Sequence, residues 1–223
     1  MKNKQLTLLV ALSMLFVTIT QAQHKSYDIK NGFGIGGGIS LFNIKTDNFT
    51  TTKGNGFIVA LAATVDIPNR WYTVSYGMQI SENTFEISGR MTDLVAGDEQ
   101  IEYKLMAAQL GFLFHGKIIG NNFTIDVGPQ LQYNGDLEFK NSQQESYYIN
   151  GYDNLSASDI TEMSKFNING AIGATAGFGP LRLRAQYIYG FLNMFEKLND
   201  NLNEDVSFKG NPETIMFTAL FTF

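Results

Sequence analysis

The sequence contains no cysteine, only two histidines and only four prolines in 223 residues. Without cysteine, the chain can form neither a disulfide scaffold nor a thiolate metal site, and it cannot carry the lipid-modified cysteine of a bacterial lipoprotein. The two histidines, His24 and His115, are too few and too far apart to suggest a histidine metal centre. We therefore expect no metal and no cofactor.

Basic residues are fewer than acidic residues, with 16 Lys and Arg against 21 Asp and Glu, so the formal net charge is -5. An acidic chain lacks the basic surface that nucleic-acid binding requires, so we expect no nucleic-acid partner. What the chain does have is 18 Phe, 10 Tyr and 22 Gly, with an ordinary mean hydropathy of -0.08. Outer-membrane β-barrels combine these properties because only every second strand residue faces lipid.

The first residues predict an exported protein. Lys2 and Lys4 precede the apolar run Leu6–Ile19, and small residues allow cleavage after Ala22. This pattern predicts a secretory signal peptide over residues 1–22. The alternative is a membrane-anchoring helix, but the run is shorter than the ~20 apolar residues of a helical span.

The rest of the chain, residues 23–223, reads as one domain of about eight strands. Long polar connections alternate with short turns at Pro68, Gly120 and Pro180, as the extracellular loops and periplasmic turns of outer-membrane barrels do. The predicted fold is an all-β, closed, antiparallel, up-and-down transmembrane β-barrel in the bacterial outer membrane. Its predicted strands are Gly32–Ile44, Gly56–Ile67, Trp71–Glu82, Ile101–Phe114, Phe123–Gly135, Phe166–Phe178, Leu181–Met194 and a closing strand ending at Phe223.

Alternation within the strands predicts which face meets lipid. In Phe166–Phe178, the even positions are mostly large and apolar and the odd positions are small or polar. Eight strands enclose little more than their own side chains, so we expect the small polar face inside and the aromatic face outside. A soluble lipocalin-like carrier is an alternative, and it requires the reverse. Ala107 and Ala108 break the alternation of the fourth strand, which predicts a bulge there.

The closing strand also alternates and ends on Phe221 and Phe223. An aromatic carboxyl-terminal residue on such a strand resembles the recognition signal of the bacterial barrel-assembly machinery. The expected partners are therefore that machinery, together with outer-membrane lipid and lipopolysaccharide.

Four charged residues are predicted to point inward near the periplasmic end: Asp66, Asp126, Arg182 and Arg184. Buried charges persist only when they are paired and hydrogen-bonded. The sequence therefore predicts a structural ion-pair cluster that plugs the lumen. A gated ion path or a ligand site is the functional alternative.

Other motifs do not form a catalytic constellation. Gly32–Gly37 matches the G-x-G-x-x-G pattern, but a β-like segment follows it where a dinucleotide site needs a helix. We expect its glycines to minimise the side-chain volume on the strand face that points into a narrow barrel. His115 is predicted to lie at a periplasmic turn, away from the outer rim where outer-membrane enzymes usually place a catalytic histidine. The protein is therefore predicted not to be an enzyme.

The longest predicted loop carries Tyr147, Tyr148 and Tyr152. These side chains either mark a site for an envelope protein partner or pack on the rim of the barrel. Acidic residues in this loop and in the last loop predict a solvated acidic outer rim.

The segment Ile125–Tyr133, with its Gly128-Pro129 pair, resembles a motif of the PorT-like outer-membrane β-barrel proteins of the Bacteroidota. The stretch from Gly170 to Asn193 is similar to the closing strands of that family. The resemblance implies an eight-stranded outer-membrane barrel, and the best-known namesake is tied to a secretion system. We therefore expect a non-enzymatic structural or interaction protein that acts through its extracellular loops, within an envelope or secretion assembly. A narrow channel or small-ligand transporter is the alternative.

Overall fold

The computed structural model describes residues 30–66, 68–92, 97–201 and 207–223. The predicted signal peptide lies outside these residues. One antiparallel sheet contains eight long strands and one short strand, β6: β1 (Lys30–Lys45), β2 (Thr51–Asp66), β3 (Tyr72–Arg90), β4 (Glu99–Ile119), β5 (Phe123–Phe139), β6 (Tyr148–Ile149), β7 (Phe166–Phe178), β8 (Leu181–Gly190) and β9 (Asn211–Thr222).

The eight long strands form a closed ring. Each pairs with its neighbours along the chain, β5 pairs with β7 across the loop that holds β6, and β1 pairs with both β2 and β9. Closure leaves no strand edge unpaired, which is what a sheet surrounded by lipid requires. The predicted all-β up-and-down barrel is confirmed.

The two ends of the barrel differ in their connections. Three short turns join β2 to β3, β4 to β5 and β7 to β8, and we call this the turn end. Each contains one residue with left-handed backbone, namely Asn69 (φ 64°), Gly120 (φ 51°) and Gly179 (φ 60°). The longer connections lie at the opposite end, the loop end, as the loop lengths predict.

A band of apolar side chains covers the outside of the barrel. On β3, Tyr76, Met78 and Ile80 are 60%, 45% and 49% exposed, and the strands around the ring repeat the pattern. The residues between them face inward and are buried, among them Ser75 and Ser81. The predicted assignment of the two faces is confirmed, and an inward-facing apolar carrier is excluded.

Beyond this band, towards the loop end, the two faces of the strands exchange their chemical character: apolar residues face inward and polar residues face outward. Towards the loop end of β3, the inward residues are Phe85 and Ile87, both fully buried, and the outward neighbours are Thr84 and Glu86. The same change occurs in β1, β4 and β5. Within the apolar band the interior of the barrel is mostly polar, with one small apolar cluster, and beyond the band it is apolar. The small cluster contains Ile58, Leu113, Ala171, Ile188 and Met216.

The loop-end interior is completed by segments 140–165, 191–201 and 207–210, which we call the cap. The cap contains 3₁₀ turns at Ser142–Ser146 and Ser158–Thr161, the strand β6 that pairs with Gly89 and Arg90 of β3, and helix α1 (Glu196–Asn201). Its buried side chains join those of the strands in one apolar cluster. The largest fully buried members of this cluster are Tyr103, Phe42, Phe85, Phe195, Phe208, Ile44 and Ile87. In the part of the chain that is described, no helix has the length and hydrophobicity to cross a membrane.

Two glycines permit the close approach of β1 and β9. A Cβ atom at Gly36 or Gly38 would lie 1.9 Å from the carbonyl oxygen of Ala219 or Phe217, respectively. The G-x-G-x-x-G match therefore lies inside a strand and serves strand packing.

The bulge predicted at Ala107 and Ala108 is present in the β4–β5 pairing, between Leu105 and Ala107, but its extra residue is not in β4. Ala107 faces inward and Ala108 outward without interruption of the β4 alternation. The irregularity is opposite, in β5, where Gly135 and Asp136 lie between the residues that pair with β4. Because two adjacent alanines have the same small apolar side chain, their sequence could not show which one faced inward.

Candidate functional site

An open chamber of about 270 Å³ occupies the turn end of the lumen. One wall carries the guanidinium groups of Arg182 and Arg184, from β8. The facing wall consists of small residues of β1 and β2, including Gly32, Gly34 and Ala62. The missing side-chain volume on that wall is what leaves the chamber open.

Asp126 is fully buried beside the chamber. Its carboxylate accepts hydrogen bonds from His115 Nδ1 (2.6 Å), Thr124 Oγ1 (2.6 Å) and Thr175 Oγ1 (2.5 Å). Arg184 Nε lies farther away, at 3.9 Å. A buried carboxylate is stable only when donors surround it, and here three strands supply them.

Asp66 has a separate set of partners. Lys117 Nζ lies 2.5 Å from Oδ1, and the Asn121 side-chain amide donates to Oδ2 at 2.7 Å. The structure thus brings the four predicted charges to one end of the lumen, but it pairs Asp66 with Lys117 and only Asp126 with an arginine. The guanidinium of Arg182 donates to the backbone carbonyl of Asn121. Their role as a structural plug stays a prediction.

His115 does not lie in a turn. Strand β4 continues to Ile119, so His115 is an inward-facing strand residue that is 5% exposed. It lies directly opposite Asp126 in the β4–β5 register, and its Nε2 lies 2.6 Å from Ser75 Oγ. The signal was available in the sequence, because His115 has the same odd parity as the inward residue Leu113.

Ser75, His115 and Asp126 have the order of a nucleophile, a base and an orienting carboxylate. Ser75, however, is 2% exposed. Its strand is paired on both sides, with Thr64 of β2 and Leu113 of β4 opposite Ser75. Acyl transfer also needs donors aimed at a developing oxyanion, whereas these backbone amides belong to the sheet. The three residues form a buried hydrogen-bonded chain, of which His115 lines the chamber.

Amide side chains fill the lumen beyond the chamber. Gln109 donates to Gln132 at 2.6 Å, Gln132 donates to Asn134 at 2.6 Å, and Asn169 donates to Gln132 at 2.7 Å. Gln79 extends the chain by donating to Gln109. The cavity at this level measures about 30 Å³, which is much smaller than the chamber of about 270 Å³. Across residues 30–66, 68–92, 97–201 and 207–223, no group of three or more His, Asp or Glu side chains could hold a metal ion.

The predicted interaction tyrosines lie in the cap and are partly buried. Tyr147 and Tyr152 pack against the apolar cluster, and the Arg90 guanidinium lies 5.8 Å from the centre of the Tyr148 ring. Arg90 also donates to the carbonyl oxygens of Ile149 (2.8 Å) and Tyr152 (2.6 Å). These residues thus hold the cap on β3, and a partner-binding role for the tyrosines stays a prediction.

Phe221 and Phe223 point outward at the turn end, 47% and 73% exposed, with ring centroids 5.2 Å apart. Both side chains lie at the turn-end edge of the apolar band. Recognition by the assembly machinery stays a prediction.

Comparison with known structures shows the fold family. The chain is similar to Neisserial surface protein A, a small outer-membrane β-barrel, with a TM-score of 0.51 and 9% identity over 86% of this chain and 97% of that chain. It is also similar to Ail, the attachment invasion locus protein of Yersinia pestis (TM-score 0.49, 12% identity, 87% and 99% of the two chains). An outer membrane channel from Pseudomonas putida gives a TM-score of 0.31 at 8% identity over 91% and 98%. Neither the protein-family models nor the curated proteins give a match to this sequence. The fold is that of the small outer-membrane β-barrels.

Proposed function

We propose that this protein is a non-enzymatic barrel of the bacterial outer membrane that acts through its cap, as a structural or interaction protein. The observation that carries the proposal is the combination of an apolar outer band with a filled lumen. The band fits lipid, and the filling leaves the folded loop end as the surface available to other molecules.

Aromatic side chains at the edges of the band support this location. Tyr133 and Phe166 are exposed at its loop-end edge, and Trp71 and Phe223 are exposed at its turn-end edge. Tyr, Trp and Phe form such girdles at the two membrane interfaces of outer-membrane barrels. In this arrangement the turn end faces the periplasm and the cap faces the outside, after export through a cleaved signal peptide.

A narrow channel is disfavoured by the side chains inside the barrel. The hydrogen-bonded amide side chains around Gln132 occupy the middle of the lumen. The apolar cluster beneath the cap occupies the loop-end part of the lumen. Water and ions would have to cross both layers. The chamber therefore opens on one side only.

The partner is proposed to be another envelope component that meets the cap. Acidic side chains such as Asp153 and Asp159 are exposed there, so contact with lipopolysaccharide would be bridged by cations. The PorT-like motif at Ile125–Tyr133 supports membership of a secretion or envelope assembly. Assembly into the membrane would use the recognition signal at Phe221 and Phe223.

The absence of cysteine allows a direct test of this topology. Asp153→Cys places a thiol on the cap, and Asn122→Cys places one at the turn end, where both native residues are exposed. On intact cells, a membrane-impermeant maleimide should label Asp153→Cys alone, and Asn122→Cys should react only after the outer membrane is opened. Labelling with the opposite order, or labelling of neither variant in the membrane fraction, would contradict the proposed orientation.

The same variants test the interaction role. A crosslinker attached at Asp153→Cys should capture a specific envelope component, whereas one attached at Asn122→Cys should not capture that component. Purified protein in planar bilayers should show no steady conductance. Steady single-channel currents would replace the interaction hypothesis with the channel hypothesis.

A further inference from the structure

The chamber at the turn end holds more positive than negative charge. Lys117, Arg182 and Arg184 line or border it together with two carboxylates, Asp66 and Asp126. Asp66 is already engaged by Lys117 at 2.5 Å. Within the described part of the chain, Arg182 forms no ion pair, and its one hydrogen bond goes to a backbone carbonyl.

Arg184 is only partly compensated. The oxygens of Asp126 are occupied by His115, Thr124 and Thr175 at 2.5–2.6 Å, and Arg184 approaches that carboxylate only to 3.9 Å. Its Nε donates to Thr175 Oγ1 at 3.1 Å. Its terminal amino groups have no hydrogen-bond partner among residues 30–66, 68–92, 97–201 and 207–223, and they belong to a side chain that lines the chamber.

The geometry points to a binding site for a small anion that carries a phosphate or carboxylate group, held by Arg182 and Arg184. Guanidinium groups recognise these planar or tetrahedral oxyanions through paired hydrogen bonds. The chamber of about 270 Å³ approaches the lower end of the volumes of small-molecule sites, roughly 300 Å³. It therefore admits an anion with a short substituent.

The facing wall explains why the space remains. Gly32 and Gly34 of β1 and Ala62 of β2 contribute little side-chain volume, whereas larger residues there would fill the chamber. The wall also carries the hydroxyl group of Thr64 of β2. This hydroxyl can donate to a second oxygen of the bound group, so the site is polar on more than one side.

The site goes beyond the proposed interaction role and does not depend on it, because the chamber lies at the opposite end of the barrel from the cap. The phosphate group could belong to a free solute or to a lipid headgroup that reaches over the rim. Both sources have the chemistry that the arginines recognise, and they can be distinguished by supplying each one alone.

The test is a titration of the purified, folded barrel in phosphatidylcholine nanodiscs with inorganic phosphate, followed by the arginine Nε–Hε signals in NMR spectra. We expect saturable shifts of two arginine signals with a dissociation constant in the millimolar range. Arg182→Gln should weaken phosphate binding by about tenfold, since it removes one of the two guanidinium groups that bind the anion. Arg70→Gln is the matched control, because Arg70 is an exposed arginine outside the chamber lining, and it should leave binding unchanged.

A second variant tests the chamber without altering charge. A Cβ atom at Gly32 would meet its nearest neighbour at 3.8 Å, an ordinary contact, so Gly32→Leu should fold and occupy the chamber. It should abolish saturation. Equal, unsaturable shifts in the unaltered protein and in the Arg182→Gln and Gly32→Leu variants would overturn the proposal. In nanodiscs containing phosphatidic acid and no free phosphate, the same shifts would identify the headgroup as the source, and unshifted signals would identify the free solute.

Discussion

Replacing Asp126 with Ala should destabilise the barrel by about 3–5 kcal/mol, the range found when one partner of a buried ion pair is removed. The structure gives the reason. Three donors reach the carboxylate at 2.5–2.6 Å, from His115, Thr124 and Thr175, and each hydrogen bond to a charged group contributes about 1.5–3 kcal/mol. The total loss of stability is smaller than the sum of these three contributions, because water from the chamber can hydrogen-bond to some of the donors that lose the carboxylate.

Urea unfolding of the protein in lipid vesicles measures this loss. Trp71 is the single tryptophan; it is 67% exposed on the outer surface and contacts Tyr72 and Phe114 with ring centroids 5.4 and 5.3 Å away. Its emission should move to longer wavelength when the strands leave the lipid. Asp126→Asn keeps one carbonyl acceptor for His115, so its loss should lie between those of the unaltered protein and the alanine variant.

Asp136→Ala is the matched control. Asp136 also has a cationic partner, Lys165, whose hydrogen bond lowers the pKa of the Asp136 carboxyl, but the pair is on the outer surface at the loop end. Exposed ion pairs contribute little to stability, so this variant should unfold close to the unaltered protein. A loss below about 1 kcal/mol for Asp126→Ala would refute the reasoning that the three hydrogen bonds to the buried Asp126 carboxylate stabilise the barrel.

Three further outcomes are expected. Burial raises the pKa of the Tyr103 phenol, so stability should decline as the pH rises above the usual phenol pKa of about 10, and Tyr103→Phe should reduce that decline in urea melts at several pH values. A Cβ atom at Gly38 would meet the Phe217 carbonyl oxygen at 1.9 Å, so Gly38→Ala should fail to close the barrel and should migrate alike on SDS gels with and without boiling, whereas folded Gly32→Ala should change mobility on boiling. A fluorophosphonate probe should not label Ser75 in the folded barrel, and labelling that disappears in Ser75→Ala would indicate a hydrolase.

The number of strands and the faces of most of them could be predicted because period-two alternation is strong within the apolar band. The predicted third strand ended at Glu82, whereas β3 continues to Arg90. Beyond Glu82 the apolar residues change parity, from Tyr76 and Ile80 on the outside to Phe85 on the inside. A search for one continuous alternation stops at such an inversion, so the predicted third strand was too short, whereas the predicted strands Gly32–Ile44 and Ile101–Phe114 already reached the loop-end part of the wall.

The site was only partly predictable for a different reason. Inward orientation follows from parity, which placed Asp126 and Arg184 inside. Which of the inward charges touch depends on the register between strands, and therefore on the backbone of each turn. The pairing of His115 with Asp126 depends on the β4–β5 register across the turn at Gly120. The pairing of Lys117 with Asp66 depends on the β2–β3 and β3–β4 registers, and residue types alone do not determine any of these registers.

The apolar residues change from the outward to the inward face of the strands at one level of the barrel. This level marks where the wall leaves the lipid at its loop end. On the outside of the wall, Lys104 lies 3.7 Å from Glu82 and 3.1 Å from Glu138, a charged cluster directly above the apolar band. On the inside, the polar ladder around Gln132 gives way at the same level to the apolar cluster around Tyr103. Both faces change together because the surroundings of the wall change from lipid to water. The loop-end half is therefore built like a water-exposed domain with its own core, and it can vary at its surface without disturbing the polar network that stabilises the membrane-spanning half.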